Sequence, residues 1–358
     1  MKVIYDIENW KEEAVVATIG FFDGVHPGHR FLLWELRKLA DEHRIPSAII
    51  TFSTHPRIVL HSDYQPKLLN SFDEKLELLS TTGVDYIIVI NFTTSIAALS
   101  AHDFITEILS TKLRVKTLLI GYDHRFGFQR AEGFEQYVTY GKECGMEVIK
   151  ASSFAGKEFV DDSTVLLQNE EDSNFDIFVD RVQHLPAEGM PCINPKGYKG
   201  LAVSSSSVRR LILKGDVAAA SRLLGYPYRL KGHIVNGYKV GRTIGFPTAN
   251  IAIDEKFKVI PMSGSYAVWI IIDNLQYNGM LYIGSRPTLE YVDPISIEVN
   301  IFDFSEDIYS KSVVVEFVEF IREDIKFDSL DDLREQMSSD KLIAEKLLTI
   351  ASLRKETL

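Results

Sequence analysis

At 358 residues the chain has room for two domains of roughly 100–200 residues each, and 46% hydrophobic with 25% charged residues lets each half bury its own core. A net charge of −11 argues against a duplex-binding surface, and two cysteines, Cys144 and Cys192, exclude a disulfide framework or a metal finger. Met1–Trp10 carries Asp6 and Glu8 with no apolar leader core, and no apolar run nears the roughly 18 residues that cross a bilayer, so a cytoplasmic protein with no membrane or nucleic-acid partner is expected.

Over residues 1–150 short β-rich runs alternate with amphipathic stretches. The predicted strands are Val15–Ile19, Ala48–Phe52, Tyr86–Ile90, Thr117–Ile120 and Glu147–Lys150; the predicted helices are Gly28–His43, Phe72–Thr82, Ala101–Leu113 and Gly133–Glu143. Such alternation predicts βαβ units and a parallel sheet covered on both faces, with ligands beyond the carboxyl ends of the strands. Residues 152–203 break the rhythm with an acidic run at Gln168–Asn174 followed by Pro186, Pro191 and Pro195, and read as a long loop or insertion. A helical pattern returns over 206–224. From Tyr228 closely spaced strands are predicted at Leu230–Val235, Ser265–Ile272, Gln276–Ile283, Ile295–Phe302 and Ser312–Phe317, then a helix from about Leu330. That pattern predicts a small antiparallel barrel.

The segment Gly20-Phe21-Phe22-Asp23-Gly24-Val25-His26-Pro27-Gly28-His29 leaves the first predicted strand and enters a helix. Gly20 and Gly24 permit tight turning, Pro27 suits a first helical turn, and the unpaired amides of the helix start favour a phosphate. His26 and His29 share one face and can donate to a triphosphate and to a transferring phosphoryl group. Zinc is disfavoured by the three-residue spacing and the lack of a third ligand nearby. In the second half, Ile295, Ile297, Val299 and Ile301 share one strand face, leaving Ser296, Glu298 and Asn300 on the other. Parity alone leaves Glu298 either a solvated strand residue or a cleft residue able to take a proton.

These segments resemble the bifunctional riboflavin kinase/FAD synthetases of bacteria. Gly20–His29 is similar to the HxGH signature of nucleotidylyltransferases, and three further segments follow in family order: Thr51–Pro56, Gly121-Tyr122-Asp123-His124-Arg125-Phe126-Gly127, and the serine loop Val203–Arg209. The barrel's Gly232–Asn250 resembles the nucleotide and magnesium loop of riboflavin kinases, most sharply in Gly245-Phe246-Pro247-Thr248-Ala249-Asn250. The resemblance implies a Rossmann-like adenylyltransferase domain over 1–210 with an unusual insertion at about 152–203, a linker helix over 211–227, and a barrel kinase domain over 228–358. It implies His26, His29, Arg209 and Glu298 as catalytic residues. Gly20, Phe22, Asp23, Gly24, Gly28, Ser204, Ser205, Gly237, Gly241, Arg242, Gly245 and Pro247 are implied at phosphate or ATP, Asp123 and Arg125 at flavin or adenosine, and Thr248 and Asn250 at Mg²⁺. Riboflavin, ATP, FMN and FAD are the implied substrates and products. The long 152–203 stretch departs from the family pattern, as do Ser265 and Ser310, where hydrophobic and glycine residues are more usual, and Asp324, where a glutamate is. A kinase without adenylylation, a flavin binder without turnover, and transfer to another phosphate monoester stand as rival expectations, and self-association is left open.

Overall fold

The computed structural model describes residues 1–60, 65–121, 124–152, 203–236, 244–285 and 295–356. They fall into two compact units, one formed by residues up to 152 and the other by residues from 203 onward. The insertion at about 152–203 lies almost wholly outside the described residues, as do Asp123, Gly237, Gly241 and Arg242.

The first unit is a six-stranded parallel sheet: β1 (Lys2–Ile4), β2 (Val15–Ile19), β3 (Ser47–Phe52), β4 (Tyr86–Ile90), β5 (Val115–Ile120) and β6 (Glu147–Lys150), in the order β1-β4-β3-β2-β5-β6. The crossovers include α1 (Pro27–His43), α2 (Pro56–Leu60), α3 (Phe72–Ser80), α4 (Thr94–Ala98), α5 (Ala101–Asp103, continued as a π-helix over Phe104–Lys112) and α6 (Phe134–Glu143). Every residue of β2 and β3 is buried because both faces are covered. Period-two alternation sends Val15, Ala17 and Ile19 into one core and Val16 into the other. From β2 the chain winds one way through β3 and β4, and then β5 adds to the opposite edge of β2. The strand order therefore reverses between β2 and β5, and that reversal opens a crevice at their carboxyl ends.

The second unit begins with α7 (Ser205–Leu213) and α8 (Val217–Leu224). The continuous helix expected over 206–224 is two helices, since Gly215 takes φ +82° and Asp216 then caps α8 through the amide of Ala219. The Met262 amide bonds the Ile212 carbonyl, so these helices pack on the barrel. The barrel is closed and antiparallel: β7 (Arg229–Val235), β8 (Ala249–Ile253), β9 (Gly264–Ile272), β10 (Leu275–Ser285), β11 (Ile295–Ile301) and β12 (Ser312–Glu323), in the order β10-β11-β8-β7-β12-β9. Helix α9 (Leu330–Glu356) lays Ala344 and Leu348 against Trp269, Met280 and Phe302. Ser310 takes φ +63°, the conformation that makes glycine the easier residue there.

Candidate functional site

The loop after β2 is a tight wrap that only particular residues permit. A side chain at Gly20 would meet the Phe22 ring at 2.9 Å, and Gly24 sits at φ +86° between the left-handed Phe22 (φ 55°) and Val25 (φ 34°). The loop ends at His26, which caps α1: its Nδ1 accepts the amide of His29 at 3.4 Å, and Pro27 takes the first helical turn. Accepting at Nδ1 places the proton of neutral His26 on Nε2, where it can be donated to a ligand. Gly28 keeps this cap open, since an added Cβ would press the His26 ring at 3.2 Å.

The two imidazoles stack at 3.8 Å with 17° between their planes, and the Phe22 ring meets His29 edge-on at 5.3 Å. Burial, then His26, then His124 hold His29 well below the ordinary histidine pKa. His29 Nδ1 is buried without a hydrogen-bond partner among the described residues. His124 enters from the loop after β5, across the crevice, and burial with help from Arg130 brings it to about 4. That loop is pinned by fully buried Tyr137, whose hydroxyl accepts the Phe126 amide and shares its one proton between the carbonyls of Phe126 and Glu132.

Asp23, predicted at phosphate, is buried. Its carboxylate accepts the amides of Leu69 (2.9 Å) and Asn70 (3.3 Å). It holds the entry to α3, whose Ser71–Glu74 capping box follows directly. Lys75 on α3 gives no signal in the sequence, because Asp73-Glu74-Lys75 reads as a solvated helix face; it is only 2% exposed. Ser204 caps α7 through the Ser207 amide at 3.2 Å, with Ser205 and Arg209 partly buried and Arg125 exposed.

In the barrel, Glu298 lies on β11 opposite Asn250 of β8 and Tyr282 of β10. The polar face predicted from parity is not a solvated one: Ser296 and Asn300 are buried and Glu298 is half-buried. Ser296 Oγ donates to Glu298 Oε1 at 3.1 Å, and Thr248 Oγ1 donates to Oε2 at 3.3 Å. Asn300 Nδ2 holds the Pro247 carbonyl at 2.7 Å, fixing the loop that presents Thr248; Gly245 turns that loop at φ +87°. Beside Glu298 opens a cavity of about 240 Å³, lined among others by Thr248, Met280, Tyr282, Arg322 and Phe327. The Tyr282 hydroxyl donates to Asp324 at 2.7 Å, and burial followed by that bond pushes its pKa up. One wall is an ion pair between Arg322 and Asp340 of α9 at 2.9 Å, with Asp340 only 3% exposed. No sequence signal singled out Asp340, one carboxylate in a polar helix.

Residues 8–164 match the FAD synthetase family and residues 224–348 match the riboflavin kinase family. The bifunctional riboflavin kinase/FMN adenylyltransferase of Escherichia coli is 33% identical over 348 residues, covering 96% of this chain and 97% of its own. Its counterparts in Haemophilus influenzae and Bacillus subtilis are 35% and 32% identical, over 90% and 96% of this chain and 91% and 96% of their own. This chain belongs to the bifunctional riboflavin kinase/FMN adenylyltransferase family. A crystal structure described as a macrolide-efflux protein from Streptococcus pneumoniae is also similar, with a TM-score of 0.73 and 28% identity over 96% of this chain and 98% of that one. Among the described residues of this family member no helix is long and apolar enough to cross a membrane. Among the described residues each matched family segment lies within one of the two structural units and contains one of the two sites: the histidine crevice in the first, the Glu298 cavity in the second.

Proposed function

We propose that the barrel phosphorylates riboflavin to FMN with ATP and that the parallel-sheet unit then adenylylates FMN to FAD, releasing pyrophosphate. The observation that carries the reading is the contrast in chemistry: of the two sites, the one with a carboxylate poised at a cavity belongs to the reaction that must ionise an alcohol.

In the barrel, riboflavin takes the cavity beside Glu298, with its 5′-hydroxyl at the carboxylate. Glu298 accepts the hydroxyl proton while that oxygen attacks the γ-phosphorus; the bond from that phosphorus to the β,γ-bridging oxygen breaks, and ADP leaves. Ser296 and Thr248 fix the carboxylate's orientation, so positioning costs little at the moment of reaction. The donor set suits Mg²⁺: a threonine hydroxyl and an asparagine amide are hard oxygen ligands, and no cluster of three His, Cys, Asp or Glu side chains able to hold a metal occurs among the described residues. Thr248 and Asn250 would hold the ion together with substrate phosphates, and it would neutralise charge on them.

In the first unit, an FMN phosphate oxygen attacks the α-phosphorus of ATP, the α,β-bridging bond breaks, and pyrophosphate leaves. The nucleophile is already anionic, so the histidines serve as donors. His26 gives its Nε2 proton to a phosphate oxygen, the Gly28 amide is a further donor beside Pro27, which has no N–H, and Gly20 and Gly24 let the backbone come close to the phosphate chain. A bound triphosphate opposes the burial that keeps His29 neutral, so ATP binding favours its second proton. Phe22 and Gly28 shape this pair, and Arg125 with Asp123 serves flavin or adenosine; Ser204, Ser205 and Arg209, which group with the barrel unit, are kept as candidate phosphate donors only. Gly237, Gly241 and Arg242, with Gly245 and Pro247, belong to the nucleotide loop of the kinase. Residues 203–210, expected to close the adenylyltransferase domain, group instead with the barrel unit.

The test is to incubate the purified chain with riboflavin, ATP and Mg²⁺ and to separate products by chromatography over time. FMN rising first and FAD after it is expected. FMN alone would reduce the protein to a kinase, and neither product would make it a binder.

A further inference from the structure

Lys75 is a buried cation beside the loop that leads from β2 to His26, and neither proposed reaction uses it. It projects from α3 to the carboxyl end of the sheet, where its Nζ donates to the Phe52 carbonyl at 3.1 Å and to Thr51 Oγ1 at 3.3 Å, both at the end of β3. The same ammonium lies 4.2 Å from the centre of the Phe21 ring and 5.1 Å from that of Phe72. Phe21 belongs to the loop that wraps from β2 to His26, and its carbonyl also receives the Thr51 hydroxyl at 3.5 Å. Lys75 thus braces that loop against the neighbouring strand.

No carboxylate forms an ion pair with Lys75 among the described residues, and its hydrogen bonds go to neutral oxygens. The nearest acid to act on it, Asp23, is occupied by the amides of Leu69 and Asn70. A methionine or leucine would fill this space without the desolvation cost of an ammonium. A buried ammonium held on two strand-end oxygens and against the Phe21 ring fixes that loop by charge as well as by shape, and Asp23 favours its charged form. Burial lowers the Lys75 pKa from 10.5 to about 8, with Asp23 opposing. The other titratable groups around it are Glu74, beside it on α3 and bonded to the Ser71 amide, and His55, whose ring meets the far side of the contact at Phe21. Carboxylates and imidazoles ordinarily titrate below about pH 7, so an alkaline transition points to the ammonium.

We propose that Lys75 is a positioning residue for FMN adenylylation, locking the loop that carries Phe21 onto the end of β3 and so setting where His26 and His29 stand. The inference rests on the assignment of adenylylation to this unit.

The experiment compares the full chain with Lys75→Met and Lys75→Arg, measuring FAD formation from FMN and ATP, riboflavin phosphorylation by the same preparations, and thermal melting. Lys75→Met is expected to lower kcat/KM for FAD formation about thirtyfold or more, as for misplacement of a catalytic loop, with FMN formation within about twofold of wild type. Lys75→Arg keeps the charge and should recover most of that loss. Wild-type FAD formation should decline as pH rises through about 8, and the arginine variant should lack that decline because guanidinium stays protonated. Wild-type activity in Lys75→Met, or a wild-type profile that stays flat on the alkaline side, would overturn the proposal. Equal losses in both variants with matching drops in melting temperature would assign Lys75 to packing and overturn it too. A wild type that makes FMN but no FAD would remove the functional assignment itself, an outcome distinct from these.

Discussion

The two sites handle the same group, phosphate, with opposite materials. In the parallel-sheet unit the polar groups at the crevice are imidazoles, with the Lys75 ammonium behind the loop that carries them, and burial holds His29, His124 and Lys75 below their ordinary pKa values. The acid on the loop, Asp23, is taken up by backbone amides. In the barrel the central group is a carboxylate, Glu298, half-buried and held by two hydroxyls. The difference follows from the nucleophiles. FMN brings an ionised phosphate and needs donors and positive potential; riboflavin brings an alcohol and needs a base.

That contrast can be broken from either side. The largest effect is expected at the base: Glu298→Gln should cut FMN formation by about 10²–10⁴-fold, the usual worth of a general base, while FAD formation from supplied FMN stays within about twofold. His29→Ala should lower FAD formation by about 10²–10³-fold, as for loss of a preorganised donor, and leave FMN formation unchanged in the same assay. An effect of either variant on both products would erase the comparison. The smallest effect concerns stability. His124 titrates at about 4 in the folded chain against an ordinary 6.5. A depressed folded value means the unfolded chain takes up the proton first. Its contribution is therefore complete above pH 6.5 and is lost as pH falls toward about 4. Melting temperature of the first unit, followed by calorimetry, should drop over that window, and His124→Phe should flatten the drop.

Much of the fold was legible in the sequence, for identifiable reasons. Strands β2, β4 and β6 begin and end at the predicted residues because each is a short apolar or β-branched run bounded by turn residues or a helix end. Helix α1 starts at Pro27, one residue before the prediction. Strand parity placed Ser296, Glu298 and Asn300 together, and the cavity lies on that face. What escaped were features set by tertiary contact. Strand β1 has three residues, one of them charged, and exists because β4 offers it an edge. Strand β8 directly follows the Gly245–Thr248 loop and was absorbed into that motif. Lys75 and Asp340 both lie in helices that read as solvated, and only the packing of α3 on the sheet and of α9 on the barrel buries them. The bonds from the Leu69 and Asn70 amides to Asp23 are likewise set by tertiary contact and gave no signal in the motif.

The claim of two separate sites is tested most directly by mixing. His29→Ala and Glu298→Gln proteins, each alone with riboflavin, ATP and Mg²⁺, should make FMN only and almost nothing, respectively. Combined in equal amounts they should make FAD, since FMN released by the first serves the intact crevice of the second. No FAD from the mixture, although Glu298→Gln adenylylates added FMN, would contradict the account.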